Sequence, residues 1–231
     1  MREAYRTATE EIVASFRDGG AILDCGAFDG RMFDVLGREA PLLPTQYFGV
    51  EWDLQSVEKA QKRGLQIACA DLNKNIPYES ELFSCVFGLS LLEHLLNGCR
   101  FLTECHRVLQ SGGKLVLLTP NISTYFTAAL ILAGKMPSSG PHPDSDALLK
   151  KEAIIKVSAD HLQTDAESDT PVHRHLVVFS YRVLRDYLKM IGFTEVRGYG
   201  FGLYPFPNFL QPLLERVDPY HCHQMVFIAR K

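Results

Sequence analysis

The chain carries no surplus of positive charge. Its 24 lysines and arginines are set against 27 aspartates and glutamates, a net charge of −3 over 231 residues. Proteins that grip a nucleic-acid backbone are as a rule basic, so a DNA or RNA acceptor is not expected. Paired cysteines are missing as well: the six stand at 25, 69, 85, 99, 105 and 222, with no C-x-x-C among them. Cys25, Cys69 and Cys85 fall in apolar strand-like runs, where a free thiol behaves as a small hydrophobe. A reduced, cytoplasmic protein is the expectation. No apolar run is long enough to span a bilayer; the longest near the middle is Phe126 to Ala133. The opening segment, Met1 to Gly20, is charged throughout, so no signal peptide is read there. With 46% hydrophobic residues the chain can fill one full core but is too short for two ordinary domains.

What is present is an alternation of strand and helix signals. Residues 2–17 place Ala4, Ala8, Ile12 and Phe16 on one helical face, and Gly19-Gly20 stops the run. Strands are read at 21–25, 46–51, 65–70, 83–89, 114–118, 194–200 and 224–229, with a strand-like stretch at His175 to Phe179. Helices are read from Gly30 to about 39, from an Asp53 cap to Arg63 with Gly64 as its stop, at 91–109, at 181–190, and at 122–134 and 146–163. Strands alternating with helices imply parallel βαβ units and an α/β fold with helices on both sheet faces. The regularity breaks between 122 and 174, where Lys135 to Asp146 is rich in proline, serine and glycine. We read 1–231 as a single domain with 122–174 inserted as a lid or acceptor-site segment.

The most specific stretch is Ile22 to Gly30, ILDCGAFDG: an apolar strand, an acid, then two glycines before a helix. A second acid, Glu51, ends the next strand. Together they outline a Rossmann-type adenosine site. A dinucleotide site needs a middle glycine to make room for pyrophosphate, and here that position is Phe28. Asp29 follows it and would set negative charge at the helix N-terminus that a pyrophosphate requires. The same acids suit a phosphate-free ligand with positive charge. S-adenosylmethionine (SAM), with its sulfonium and ammonium groups, is such a ligand.

The chain resembles the class I SAM-dependent methyltransferases, of the broad group labelled methyltransferase type 11, over most of its length. The glycine loop corresponds to Asp24, Gly26 and Gly30, the ribose-binding acid to Glu51, and the bulky residue beside adenine to Trp52. The acid that reads the adenine amino group corresponds to Asp71, with the Leu72 amide beside it. Ala27 in the loop and Gly88 on strand four complete the expected cofactor-binding set. Further similarity lies in Leu92-Glu93-His94-Leu95, in Glu104 to Gly113 (ECHRVLQSGG, with Ser111 in place of the usual proline), in Thr119-Pro120-Asn121, and in His175 to Phe193. The resemblance implies a Rossmann-like sheet of seven strands, mostly parallel with the last antiparallel. SAM is the implied cofactor and S-adenosylhomocysteine its product.

Methyl transfer from SAM is an in-line displacement with a good leaving group already in place. The protein chiefly aligns acceptor and methyl group and excludes water. An acceptor hydroxyl or amine also has a proton to lose. His94 and His175 are the catalytic candidates. The competing reading of His94 is a helix-start histidine bonding locally, and that of His175 a structural histidine at a strand edge. His173 reads as exposed loop. Glu93 reads as a cap or a brace of the cofactor pocket. No metal site is expected. His221-Cys222-His223 alternates on a strand, which would place the two histidines on one face and Cys222 on the other. Ubiquinone-type O-methyltransferases carry a metal-holding E-x-x-E-H motif, but here Ser90 stands at its first position.

Acceptor choice is expected from 122–174 and from the aromatic tail Tyr199, Phe201, Tyr204, Phe206 and Phe209. Most of those rings read as a cap on the core, with an apolar acceptor pocket or a peripheral membrane contact as the sharper alternative. Only Lys135 is close enough to favour a membrane surface. The leading reading is methyl transfer to oxygen or nitrogen of a small molecule, lipid- or sugar-linked molecules included. An RNA or protein methyltransferase, a catalytically silent SAM-binding scaffold and a nicotinamide oxidoreductase stand as alternatives. The sequence gives no oligomeric state.

Overall fold

The computed structural model describes residues 2–17, 19–152, 174–207 and 209–231. Helix α1 (Arg2–Phe16) buries Ala4, Ala8, Ile12, Val13 and Phe16 against the sheet. The strand–helix alternation that follows gives β1 (Ile22–Cys25), α2 (Arg31–Glu39), β2 (Tyr47–Glu51), α3 (Leu54–Lys62), β3 (Gln66–Cys69) and β4 (Phe83–Leu89). Asp53 caps α3 by accepting the Ser56 amide, and Gly64 ends it in the left-handed region. Then come α4 (Gly98–Val108), β5 (Leu109–Pro120), α5 (Tyr125–Leu132), α6 (Asp146–Glu152), α7 (Tyr181–Met190), β6 (Thr194–Phe201), α8 (Gln211–Val217) and β7 (Gln224–Arg230).

The seven strands form one sheet in the order β3-β2-β1-β4-β5-β7-β6. All neighbours from β3 to β5 run parallel, and β7 is antiparallel to both β5 and β6. Successive strand residues point to opposite faces, which divides the core in two. Leu23, Val86 and Leu117 pack under α4 and α7 with Phe101, Leu184 and Leu188. Ile22, Phe87 and Val116 pack under α1, α2 and α3 with Ile12, Phe16, Leu36 and Val57. Among the described residues no helix is long and apolar enough to cross a membrane.

Four readings of the sequence differ from the structure. The helix expected at 91–109 is divided: Leu92–His94 is a short 3-10 helix, and α4 begins only at Gly98. Asn73 explains the break, because its side-chain oxygen and main-chain carbonyl take the Asn97 amide and side chain across the loop. Strand β5 starts earlier than expected, since Leu109 pairs with Phe83 and the Gly112-Gly113 turn exchanges hydrogen bonds with Lys231. The stretch from His175 to Phe179 is extended but pairs with no strand. His221 lies in a 3-10 helix (Pro219–His221) rather than a strand. It faces Asp218 and stacks on Tyr125, while His223 packs edge-on to Tyr204. Of the helix expected at 146–163, only α6 falls within the described residues, and His173 falls outside them.

Candidate active site

Crossovers leave β1 and β4 in opposite directions, which opens a crevice at the carboxyl ends of these two strands. The glycine loop fills the β1 side. Amides of Gly26 and Ala27 both donate to the Val50 carbonyl, and Gly30 donates back to the Ala27 carbonyl. Gly26 and Gly30 have φ of 79° and 78°. Gly30 could not be otherwise, because a Cβ there would lie 2.3 Å from Leu65. Phe28, which stands where a dinucleotide loop keeps a glycine, adopts the left-handed region all the same, at φ 49°. Its amide donates to Glu51 and its ring carries the Arg31 guanidinium at 4.3 Å.

Glu51 is buried, and its carboxylate collects three main-chain amides: Phe28 on one oxygen, Trp52 and Asp53 on the other. It therefore ties the β1 loop to the end of β2 and is held in place before any ligand arrives. Trp52 is 73% exposed and offers its ring as an open wall. Asp71 takes the Asn73 amide and side chain on one oxygen and has Lys74 3.7 Å from the other. The Asn73 amide, foremost, holds its pKa below the usual carboxylate range. Leu72 is buried beneath it. Asp24 is also buried and accepts the Tyr47 hydroxyl. Burial lifts its pKa to about 7, opposed by the Tyr47 hydrogen bond and reinforced by the charge of Glu51. Gly88 lies in β4 under the crevice floor, where a side chain would meet Leu91, Phe101 and Leu117.

The β4 side carries the histidines. After Leu91, which also packs on Gly26, the chain turns through Glu93 and His94. Glu93 is only 2% exposed; it accepts the Thr119 hydroxyl, and its carbonyl accepts the Leu176 and Val177 amides. Burial raises its pKa to about 7. The His94 side chain reaches far along the sequence: its Nδ1–H donates to the Arg174 carbonyl at 3.0 Å. His175 donates Nδ1–H to the Ser139 carbonyl at 2.6 Å, stacks on His142 and meets His94 edge-on with centroids 5.2 Å apart. Burial brings its pKa down to about 4, so the ring is neutral at pH 7. The sequence named His94 and His175 separately; the fold joins them and adds Glu93 and His142.

Asn121 is the residue whose importance the sequence did not show. Its amide donates to the carbonyls of Tyr220 and Cys222, and its oxygen accepts from Ser123 and from the Tyr181 amide. The neighbouring Ile122 amide donates to Phe179. The chain that departs after β5 is thus fastened to the chain that returns at α7. The T-P-N exit was the signal, but the partners lie too far along the sequence to be read. The E-C-H-R-V motif has a structural task instead: Glu104 and Arg107 clamp the Ile76–Ser80 turn. Of the tail rings Phe201 packs on the core, but the others do not cap it as expected. Tyr199, Tyr204, Phe206 and Phe209 are exposed, the last at 80%. Two surface cavities, of about 430 Å³ beside Tyr78 and about 570 Å³ beside Phe33, lie where strands begin rather than at the crevice.

Sheet order, glycine loop and acid-lined crevice define a Rossmann-like class I methyltransferase fold. The sequence agrees: residues 23–117 match the family model described as "Methyltransferase domain". A "Probable S-adenosylmethionine-dependent methyltransferase" of Mycobacterium tuberculosis is 28% identical over 105 residues, 45% of this chain and 37% of that protein. A similarly named protein of Mycolicibacterium smegmatis is 26% identical over 108 residues, 46% of this chain and 40% of that one. The matched stretches thus span well under half the length of these curated relatives. Among solved structures, a SAM-dependent methyltransferase of Mesorhizobium loti superimposes with a TM-score of 0.59 at 14% identity, covering 99% of this chain and 98% of that one. The phosphoethanolamine N-methyltransferase 2 of Haemonchus contortus, solved with SAM, gives 0.58 at 13% identity, covering 96% and 52%.

Proposed function

We propose that the protein transfers the methyl group of SAM to oxygen or nitrogen of a small-molecule acceptor. The observation that carries this reading is the charge of the crevice. Asp24, Glu51 and Asp71 gather at the ends of β1, β2 and β3, and Phe28 and Asp29 occupy the place a pyrophosphate would need. Such a site repels phosphate and attracts a sulfonium. Asp24, Gly26, Ala27, Gly30, Glu51, Trp52, Asp71, Leu72 and Gly88 form or underlie the cofactor half. His94 and His175 meet the acceptor and ease the loss of its proton, each ring fixed by a main-chain carbonyl. Residues 1–231 act as one domain, with 122–174 as the insertion that shapes the acceptor side. The net charge of −3 favours a small molecule over RNA. Six unpaired cysteines fit a reducing, cytoplasmic setting.

Thermal unfolding with SAM, S-adenosylhomocysteine and NAD tests the reading. Both adenosyl ligands are expected to raise the melting temperature and NAD is not. Stabilisation by NAD alone would overturn it. Incubation with isotope-labelled SAM and a metabolite pool, read by mass spectrometry, then finds the acceptor. Labelling of RNA or protein only would move the assignment to those acceptors.

A further inference from the structure

The side chains of Glu93, His94 and His175 each bring a ligand-type atom to within 4.8 Å of the others. Glu93 and His94 come from the turn after β4, His175 from the chain returning after the insertion. We propose that these three residues hold a divalent transition-metal ion of the zinc type, and that this ion binds the acceptor oxygen. The second half of the inference rests on the methyltransferase reading; the first does not.

Three observations support the site. The residue types are right: two imidazoles and one carboxylate suit zinc and its neighbours, which take three protein ligands and keep a fourth position for water or substrate. The histidines are oriented as ligands are. Both donate Nδ1–H to a main-chain carbonyl, of Arg174 and of Ser139, which makes Nε2 the lone-pair atom of each ring. The carboxylate is braced in the same way, because Glu93 takes the Thr119 hydroxyl on one oxygen, Oε2. Around a tetrahedral ion with bonds of about 2.1 Å the ligand atoms lie ~3.4 Å apart, so the three side chains have to draw in slightly on the ion. His94 and His175 already meet edge-on, with ring centroids 5.2 Å apart.

The ion makes a choice between acceptor atoms. An amine bound to a metal has used its only lone pair and cannot attack. A bound hydroxyl keeps lone pairs and gives up its proton more easily. The acceptor is therefore an alcohol, enol or phenol. Its oxygen binds the ion and its proton passes to solvent. An oxygen lone pair then forms the new O–CH3 bond as the C–S bond breaks and its electron pair returns to sulfur.

The test uses the full chain stripped by chelation and titrated with Zn2+ and, separately, Co2+. About one Zn2+ per chain is expected, with Co2+ giving visible absorption of a nitrogen- and oxygen-ligated ion. Glu93→Gln, which retains an acceptor for Thr119, and His175→Ala, in an extended segment outside the sheet, should each weaken Zn2+ binding at least about tenfold. His221→Ala, on a surface turn away from the set, should leave it unchanged. Uptake well below one ion per chain, or uptake that survives His175→Ala, would overturn the site. Because SAM binding is titrated on the same samples, a chain that takes Zn2+ but not SAM would lose the methyltransferase reading and keep the metal site. If Zn2+ binds but amines alone are methylated, the site stands and the oxygen assignment fails.

Discussion

The two sides of the crevice are built by different means. On the side proposed for the cofactor, every group sits at a strand end or in the loop that follows it, and partners lie within a few residues or on the adjoining strand: Glu51 holds Trp52, Asp53 and, 23 residues away, Phe28, and Asp71 holds Asn73. On the acceptor side, partners are far apart: His94 with Arg174, His175 with Ser139, Glu93 with Thr119. The first arrangement is set by backbone turns that a short motif dictates. The second exists only when the whole chain has folded. The family model matches residues 23–117, the part of the chain that runs from β1 into β5.

The sharpest way to break this division is to mutate one group on each side. Glu51→Ala removes the acceptor of three amides and, by the assignment above, the ribose contact. SAM affinity should fall about 100-fold or more by calorimetric titration, since hydrogen bonds to a charged group are worth about 1.5–3 kcal/mol each. His175→Ala should leave SAM affinity within about threefold while product formation falls about 100-fold. Equal losses of affinity in both variants would show that the two sides are not separate.

A second measurement concerns Asp24. Its folded pKa is raised from 3.8 to about 7. At pH below about 4 both folded and unfolded carboxyls are protonated, and burial costs no charge. Between about 4 and 7 the folded protein keeps a proton that the unfolded chain has lost, so stability falls as pH rises, and above 7 the penalty is complete. Asp24→Asn cannot titrate. Its melting curve should be flatter than that of the wild type between pH 5 and pH 8, by on the order of 2 kcal/mol in the absence of cofactor. Parallel curves would mean that Asp24 is charged throughout and carries no such cost.

The smallest effect is expected at Phe28. A left-handed phenylalanine costs about 1 kcal/mol that glycine does not, while glycine gives up the Arg31 contact and some unfolded-state restraint. Phe28→Gly should change stability by less than about 1 kcal/mol and leave SAM affinity within a few fold. A large loss of affinity would show that the phenyl ring itself meets the cofactor.

The sequence revealed the fold because the strands are apolar runs separated by turn residues, and their order follows from right-handed crossovers. It marked the crevice at the ends of β1 and β2 because Asp24, Gly30 and Glu51 stand at strand ends and in the turn that follows. It did not reveal the break at Leu95 to Asn97, which depends on Asn73 reaching across from another loop. Nor could it bring His175 to Glu93. The E-x-x-E-H spacing fails at Ser90, whereas the third ligand-type atom comes from His175, far along the chain. Exposure of the aromatic tail was misjudged because an apolar composition says which residues avoid water, and not whether the sheet has room left to cover them.

Asn121 has a consequence for how such proteins diversify. It joins the chain that leaves β5 to the chain that enters α7, and so closes a stem beneath whatever lies between them. Doubling the length of a flexible loop costs only about 0.6 kcal/mol once its ends are joined. A lineage could therefore lengthen, shorten or replace that segment, and with it the repertoire of acceptors, while the machinery that handles the methyl donor stays untouched. One amide side chain makes the acceptor side an exchangeable part.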